Sequence, residues 1–149
     1  MNKALMIGVN NKAWVPCMYA SSSHPRFIKN DNGRLTIANT GGTYPQYWLP
    51  LPTVKGTLKL YVDAVRIEIY DADANSYLNA YWAYAIDATT TGTIDTDGTS
   101  RTAPGQYDVT FTPYDCSGKS LVTIILECVT SVINDLSIGL VAFRCYYDV

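Results

Sequence analysis

Asp71, Asp73 and Asn75 stand at alternate positions within IEIYDADANSYLNAYWAY, and their type and spacing come nearest to a metal site in this chain. Oxygen ligands at the first, third and fifth positions open a hand-type calcium loop, which then needs a glycine sixth and a bidentate glutamate twelfth. Here the sixth position is Ser76 and the twelfth is Trp82, so the pattern fails at its two most demanding places. The stretch also lies between two alternating patterns, where Asp and Asn stabilise turns by bonding backbone N–H groups. A turn is the stronger reading, with Asp71, Asp73 and Asn75 kept as the candidate metal ligands. The acidic run Asp95-Thr96-Asp97-Gly98 carries the same ambiguity. The two runs would form a hard-cation site only if the fold brought them to one end.

Nucleophilic chemistry has less to stand on. The single histidine, His24, sits in the polar run Ser21-Ser22-Ser23-His24-Pro25, and no G-x-S-x-G elbow is present. The acids fall in turns or on alternating polar faces, so no carboxylate pair stands out for glycoside hydrolysis. Phosphate-binding glycine loops and dinucleotide fingerprints are absent, so no cofactor and no enzymatic activity are expected. Cys17, Cys116, Cys128 and Cys145 lack C-x-x-C spacing, which argues against zinc. Cys128 and Cys145 lie inside apolar runs and read as small buried hydrophobes rather than bridge halves.

The remaining chemistry is that of contact. Of the residues, 48% are hydrophobic and only 16% charged, against about 25% charged in an average soluble protein. Thr, Ser, Asn and twelve Tyr fill the difference, giving a surface suited to protein or sugar. Charge is divided along the chain: residues 1–59 carry seven cations and one acid, whereas residues 60–149 carry four cations and twelve acids. The basic part is therefore expected either to lie on the acidic remainder of its own chain or to reach a neighbouring copy, with Lys12, Arg26 and Lys29 as the charge-mediated contacts. Spread-out cations without a cluster make nucleic acid an unlikely partner.

The elements that position these groups read as all-β. No helical stripe persists over three turns, while alternation and β-branched or aromatic enrichment recur over residues 4–9, 14–19, 34–38, 57–70, 77–87, 106–112, 121–132 and 136–147. Leu58, Leu60 and Val62 alternate on even numbers, but Val65, Ile67 and Ile69 on odd ones. One residue must be absorbed near Asp63-Ala64 to keep both sets on one face. Residues 121–132 and 138–143 are apolar on both parities, which predicts central strands covered on both faces, by the other sheet on one and open to another subunit on the other. Eight strands with turn signals fit a single two-sheet antiparallel sandwich over residues 1–149, jelly-roll-like, with immunoglobulin-like topology left open.

Two aromatic segments are singled out. In YPQYWLPLP, residues 44–52, three prolines argue against a central strand and for an extended path, either a strap over the chain's own sandwich or an arm within residues 41–56 laid on a neighbour. Tyr44, Tyr47, Trp48 and Leu49 would make its contacts. In residues 77–86, Leu78, Trp82, Tyr84 and Ile86 are assigned to the core, and Tyr77, Asn79 and Tyr81 to an outward contact face.

The apolar start MNKALMIGVNNK stops short of a secretory core of about seven to fifteen residues, and no run approaches the roughly twenty of a membrane span. The expectation is synthesis in the cytoplasm without a signal peptide, no membrane insertion, and work in a virion or extracellular particle. The combined reading is a self-assembling structural protein, a capsid, decoration or tail component that contacts copies of itself and other particle proteins. The alternative is a carbohydrate-binding or adhesin-like sandwich module with glycan partners and a structural calcium ion.

Overall fold

The computed structural model describes residues 11–21 and 28–148. The candidate strand at 4–9, His24 and Arg26 lie outside the described residues. Twelve strands are described: β1 Ala13–Pro16, β2 Met18–Ser21, β3 Ile28–Asp31, β4 Arg34–Ile37, β5 Gly41–Thr43, β6 Gln46–Pro50, β7 Lys59–Asp71, β8 Ser76–Ile86, β9 Thr91–Asp97, β10 Gly105–Asp115, β11 Leu121–Thr130 and β12 Ser137–Asp148. Sheet one runs β10-β7-β12-β4-β3, with β1 also on β12; sheet two runs β2-β6-β11-β8-β9, with β5 also on β11. Eight of these strands, β4-β12-β7-β10 facing β6-β11-β8-β9, have the order of a double Greek key, which is jelly-roll connectivity. The expected sandwich is present, and the immunoglobulin-like alternative falls away.

The core lies between the sheets. Leu60, Val62, Val65 and Ile67 of β7 and Phe143 and Cys145 of β12 meet Ile124, Leu126 and Cys128 of β11 and Leu78 and Tyr81 of β8, all fully buried. The expected strands over 121–132 and 136–147 are central, β11 between β6 and β8, and β12 between β7 and the β4 and β1 pair. Their double-sided apolarity follows from that position: Leu121, Ile125 and Val129 on the outer side of β11 are half-buried among neighbouring strands of their own sheet.

The segment at 14–19 is two strands. It passes from sheet one to sheet two at Cys17, whose N–H bonds Val141 O at 2.8 Å. A larger correction concerns residues 44–52. Gln46–Pro50 forms β6, paired to β11 on one side and β2 on the other, so the segment is a strand of its own sandwich. Proline tolerates this because Pro45 precedes the strand and Pro50 is its last residue, where no interior ladder N–H is required.

The parity change in β7 is absorbed where the sequence requires it. Cys145 pairs with Val62 and Arg144 with Ala64, leaving Asp63 as the extra residue of a bulge. Asp63 is 3% exposed and accepts hydrogen bonds from Arg144 Nε at 2.7 Å and Nη2 at 3.1 Å, and from Lys12 Nζ. Burial works against its charge, but the hydrogen bonds and positive charge of Arg144 and Lys12 outweigh it and hold its pKa below the ordinary 3.8. The guanidiniums of Arg144 and Arg66 both lie over the Trp14 indole, and Arg66 forms a two-pronged ion pair with Asp108 at 2.8 Å.

Replacing Asp63 by Asn leaves Arg144 and Lys12 beside a neutral group and is expected to cost about 3 kcal/mol in urea unfolding at neutral pH. A depressed folded pKa means that the stabilisation is present above 3.8 and is lost as pH falls through the folded value. The stability gap between wild type and D63N should therefore narrow below about pH 4, and a gap that is flat or widening there would contradict this account.

Candidate functional site

The outer face of sheet two gathers the aromatics that the core does not take. On β11, Thr123 lies between Trp48 of β6 and Tyr84 of β8 in one pairing row; in the next row Ile125 lies between Gln46 and Trp82. Strand spacing puts the backbones of Trp48 and Tyr84 about 10 Å apart, and two residues along β8 put Trp82 about 7 Å from Tyr84. Trp48 is 42% exposed and Tyr44 39%, while Trp82, Tyr84 and Tyr77 are half-buried on the same side.

Polar groups are fixed among them. Glu127 accepts hydrogen bonds from Asn79 Nδ2 at 2.9 Å and from the Tyr44 hydroxyl at 3.4 Å, and Asn79 Oδ1 accepts one from Ser100 Oγ at 2.8 Å. Gln46 Nε2 donates to Thr123 Oγ1 at 3.1 Å, and that hydroxyl donates to Tyr47 O at 2.9 Å. The platform thus presents flat apolar rings beside a carboxylate and amides whose orientations are set by partners. Such a surface can stack on the C–H face of a ring and exchange hydrogen bonds with hydroxyl groups at its edge.

A second bulge builds this face. Cys128 pairs with Leu78 but Glu127 with Ala80, so Asn79 and Ala80 together oppose one residue and the parity of β8 reverses after them. Before the bulge Leu78 points inward; after it Tyr81, Ala83 and Ala85 do, all fully buried. Trp82, Tyr84 and Ile86, expected in the core, stand on the outer face, and Tyr81, expected outside, is inside. Its hydroxyl donates to Asp95 at 2.5 Å, and burial together with that bond raises its pKa. Of the contact residues named from sequence, Tyr44, Trp48, Tyr77 and Asn79 come together on this face. Tyr47 and Leu49 point into the core, 4% and 3% exposed, because odd positions of β6 face sheet one. The sequence reading missed Gln46, Trp82, Tyr84, Thr123 and Glu127; the alanines at 83 and 85 were the signal that the bulkier even-numbered side chains lay elsewhere.

The charge-contact residues divide. Lys12 donates a hydrogen bond to Asp63 of its own chain, and Lys59 forms an ion pair with Asp115 at 3.8 Å, contacts of the kind the first of the two expectations for the basic part describes. Lys29 is exposed on the edge strand β3.

Asp73 closes the β7–β8 turn: its Oδ1 accepts the N–H of Asn75 at 2.6 Å and of Ser76 at 2.8 Å, and its own N–H bonds Ser76 O at 2.8 Å. Asp71 is the last residue of β7, paired with Ser137. Asp95, Thr96 and Asp97 of the second acidic run belong to β9 and Gly98 lies just beyond it, with Asp97 bonded by Arg101 Nη2 at 2.5 Å and by the Thr99 N–H at 2.8 Å. Among the described residues no three His, Cys, Asp or Glu side chains gather as a metal cluster.

No family profile matches the chain, and no curated protein matches it in sequence. Solved structures resemble it. A selenomethionine-labelled point mutant of chitosan-binding module 1 from a chitosanase/glucanase of Paenibacillus sp. IK-5 matches with TM-score 0.52 and 14% identity over 86% of this chain and 92% of that one. The unlabelled module gives TM-score 0.48 and 17% identity over 96% and 98%. The C-terminal CBM6 of LamC, a marine laminarinase from Zobellia galactanivorans, gives 0.44 and 11% over 91% and 99%. The first likeness supports the two-sheet sandwich.

Asp73→Ala should destabilise the fold by about 1 kcal/mol, the contribution of a turn hydrogen bond. Calcium or a chelator should leave the wild-type Tm unchanged; a rise with calcium would restore the ion site.

Proposed function

We propose that the chain is a non-catalytic carbohydrate-binding module that holds a polysaccharide along the outer face of sheet two. The observation that carries this reading is the placement of Trp48, Tyr84 and Trp82 on one sheet face, beside Gln46, Asn79 and Glu127. The rings stack against the apolar faces of successive sugar rings, and the amides and carboxylate bond the equatorial hydroxyls. Glu127 acts as an acceptor, and Asn79 and Tyr44 keep it in place before the ligand arrives, which reduces the entropy lost on binding. Because the platform is built on β6, β8 and β11 rather than on loops, its rings are held at a fixed spacing. The fold likeness to a chitosan-binding module agrees with this reading.

The reading as a self-assembling particle protein loses much of the support it drew from sequence. Tyr47 and Leu49 of the supposed arm are core residues, and Lys12 has its acid within the chain.

The test is affinity electrophoresis and calorimetry of the whole chain against a panel of soluble β-glucans, chitosan and xylan, with light scattering to follow its oligomeric state. At least one polysaccharide should bind. Trp48→Ala and Trp82→Ala should each weaken that binding about tenfold, equivalent to roughly 1.4 kcal/mol, without changing the circular dichroism spectrum. Absence of binding across the panel, together with concentration-dependent assembly, would reject the proposal in favour of the structural-protein reading.

A further inference from the structure

A second concavity lies away from the platform, where β12 changes partners. Ser137 and Ile138 pair with β4, and Ala142 to Cys145 pair with β1. Between them that edge of β12 has no paired strand, and a cleft of about 400 Å³ opens. Its buried lining is Leu35, Tyr47 and Val141; its outer lining is Tyr19, Asn30, Asn32, Arg34, Glu68 and Tyr70. Gly139 is required here for space: a Cβ would meet the Tyr70 ring at 2.3 Å, so only glycine lets that ring lie across β12.

Two charged side chains of this cleft have their polar ends free of hydrogen-bond and ion-pair partners among the described residues. The Arg34 guanidinium carbon lies 3.9 Å from the centre of the Tyr70 ring. Stacking of that kind fixes the plane of the guanidinium and leaves its N–H edge available, yet the side chain has no hydrogen-bond or ion-pair partner among the described residues. Glu68 likewise has none.

We propose that this cleft is a second binding site, for a sugar residue that carries a carboxylate. A planar, stacked guanidinium matches a carboxylate with two parallel hydrogen bonds. Glu68 in the same cleft accepts from sugar hydroxyls. Asn30 and Asn32 can donate and accept at the rim, and the Tyr19 ring gives a flat wall. The site therefore selects an acidic glycan unit such as a hexuronate, and it does so independently of the platform on sheet two.

Calorimetry of the whole chain with digalacturonate, with cellobiose and glycine as comparison ligands, tests this. Digalacturonate should bind, and Arg34→Gln should weaken it by about tenfold or more. Trp82→Ala should have no effect on this binding, so loss of platform binding and loss of cleft binding remain separable. Failure of digalacturonate to bind overturns the proposal. So would equal binding in Arg34→Gln, abolition by Trp82→Ala, or Arg34-dependent binding of glycine without any of digalacturonate.

Discussion

Side chains of a strand alternate between its two faces, so one additional residue in a ladder exchanges the buried set for the exposed set from that point onward. Two such insertions organise this molecule. The bulge at Asp63 keeps Leu60 and Val62 on the same side as Val65 and Ile67, so that the longest strand feeds one core along its whole length. The bulge at Asn79 and Ala80 does the opposite service in β8: it turns Tyr81 and two alanines inward and sends Trp82 and Tyr84 outward. Without the first the sandwich would have no continuous core, and without the second it would have no aromatic platform.

The two outer faces differ in how their polar groups are satisfied. On sheet one, cations and acids answer each other: Lys12 and Arg144 on Asp63, and Arg66 on Asp108, with Trp14 beneath both arginines. That face is occupied by its own chain. On sheet two, the central rows hold rings and amides with one carboxylate, Glu127, to which no cation is bonded among the described residues. Neutral polar groups and rings give up water more readily than ions do, which is why the second face is the one suited to a ligand. At the edge, the change of partners along β12 leaves a cleft lined by Arg34, Glu68 and Tyr70, a different chemistry from the platform's.

Jelly-roll architecture serves binding modules and particle proteins alike, so it does not select a function. The side chains do. YPQYWLPLP reads from its composition as a segment that must cover something. As a strand it divides by parity, with Tyr47 and Leu49 buried and Trp48 exposed. Half of the apparent contact surface thereby becomes core, while Trp48 gains Tyr84 and Trp82 as neighbours across β11.

The sequence by itself determined the all-β class, the central positions of β11 and β12, the Asp73 turn and the bulge near Asp63, since each follows from alternation or turn chemistry within a few residues. It also held the intrachain reading of the basic part as one of two alternatives. Which face of β8 is buried depends on the assembled sheet, because the bulge at Asn79 and Ala80 is defined by the pairing of Glu127 and Cys128 some fifty residues away in the chain. Short strands such as β3, β5, β6 and β9 were hidden for the same reason: their own periodicity is weak, and their hydrogen-bond partners are supplied by distant segments. The platform joins β6, β8 and β11, and the cleft joins β2, β3, β4, β6, β7 and β12. Neither has a local pattern, since closure of the two sheets is what brings those residues together.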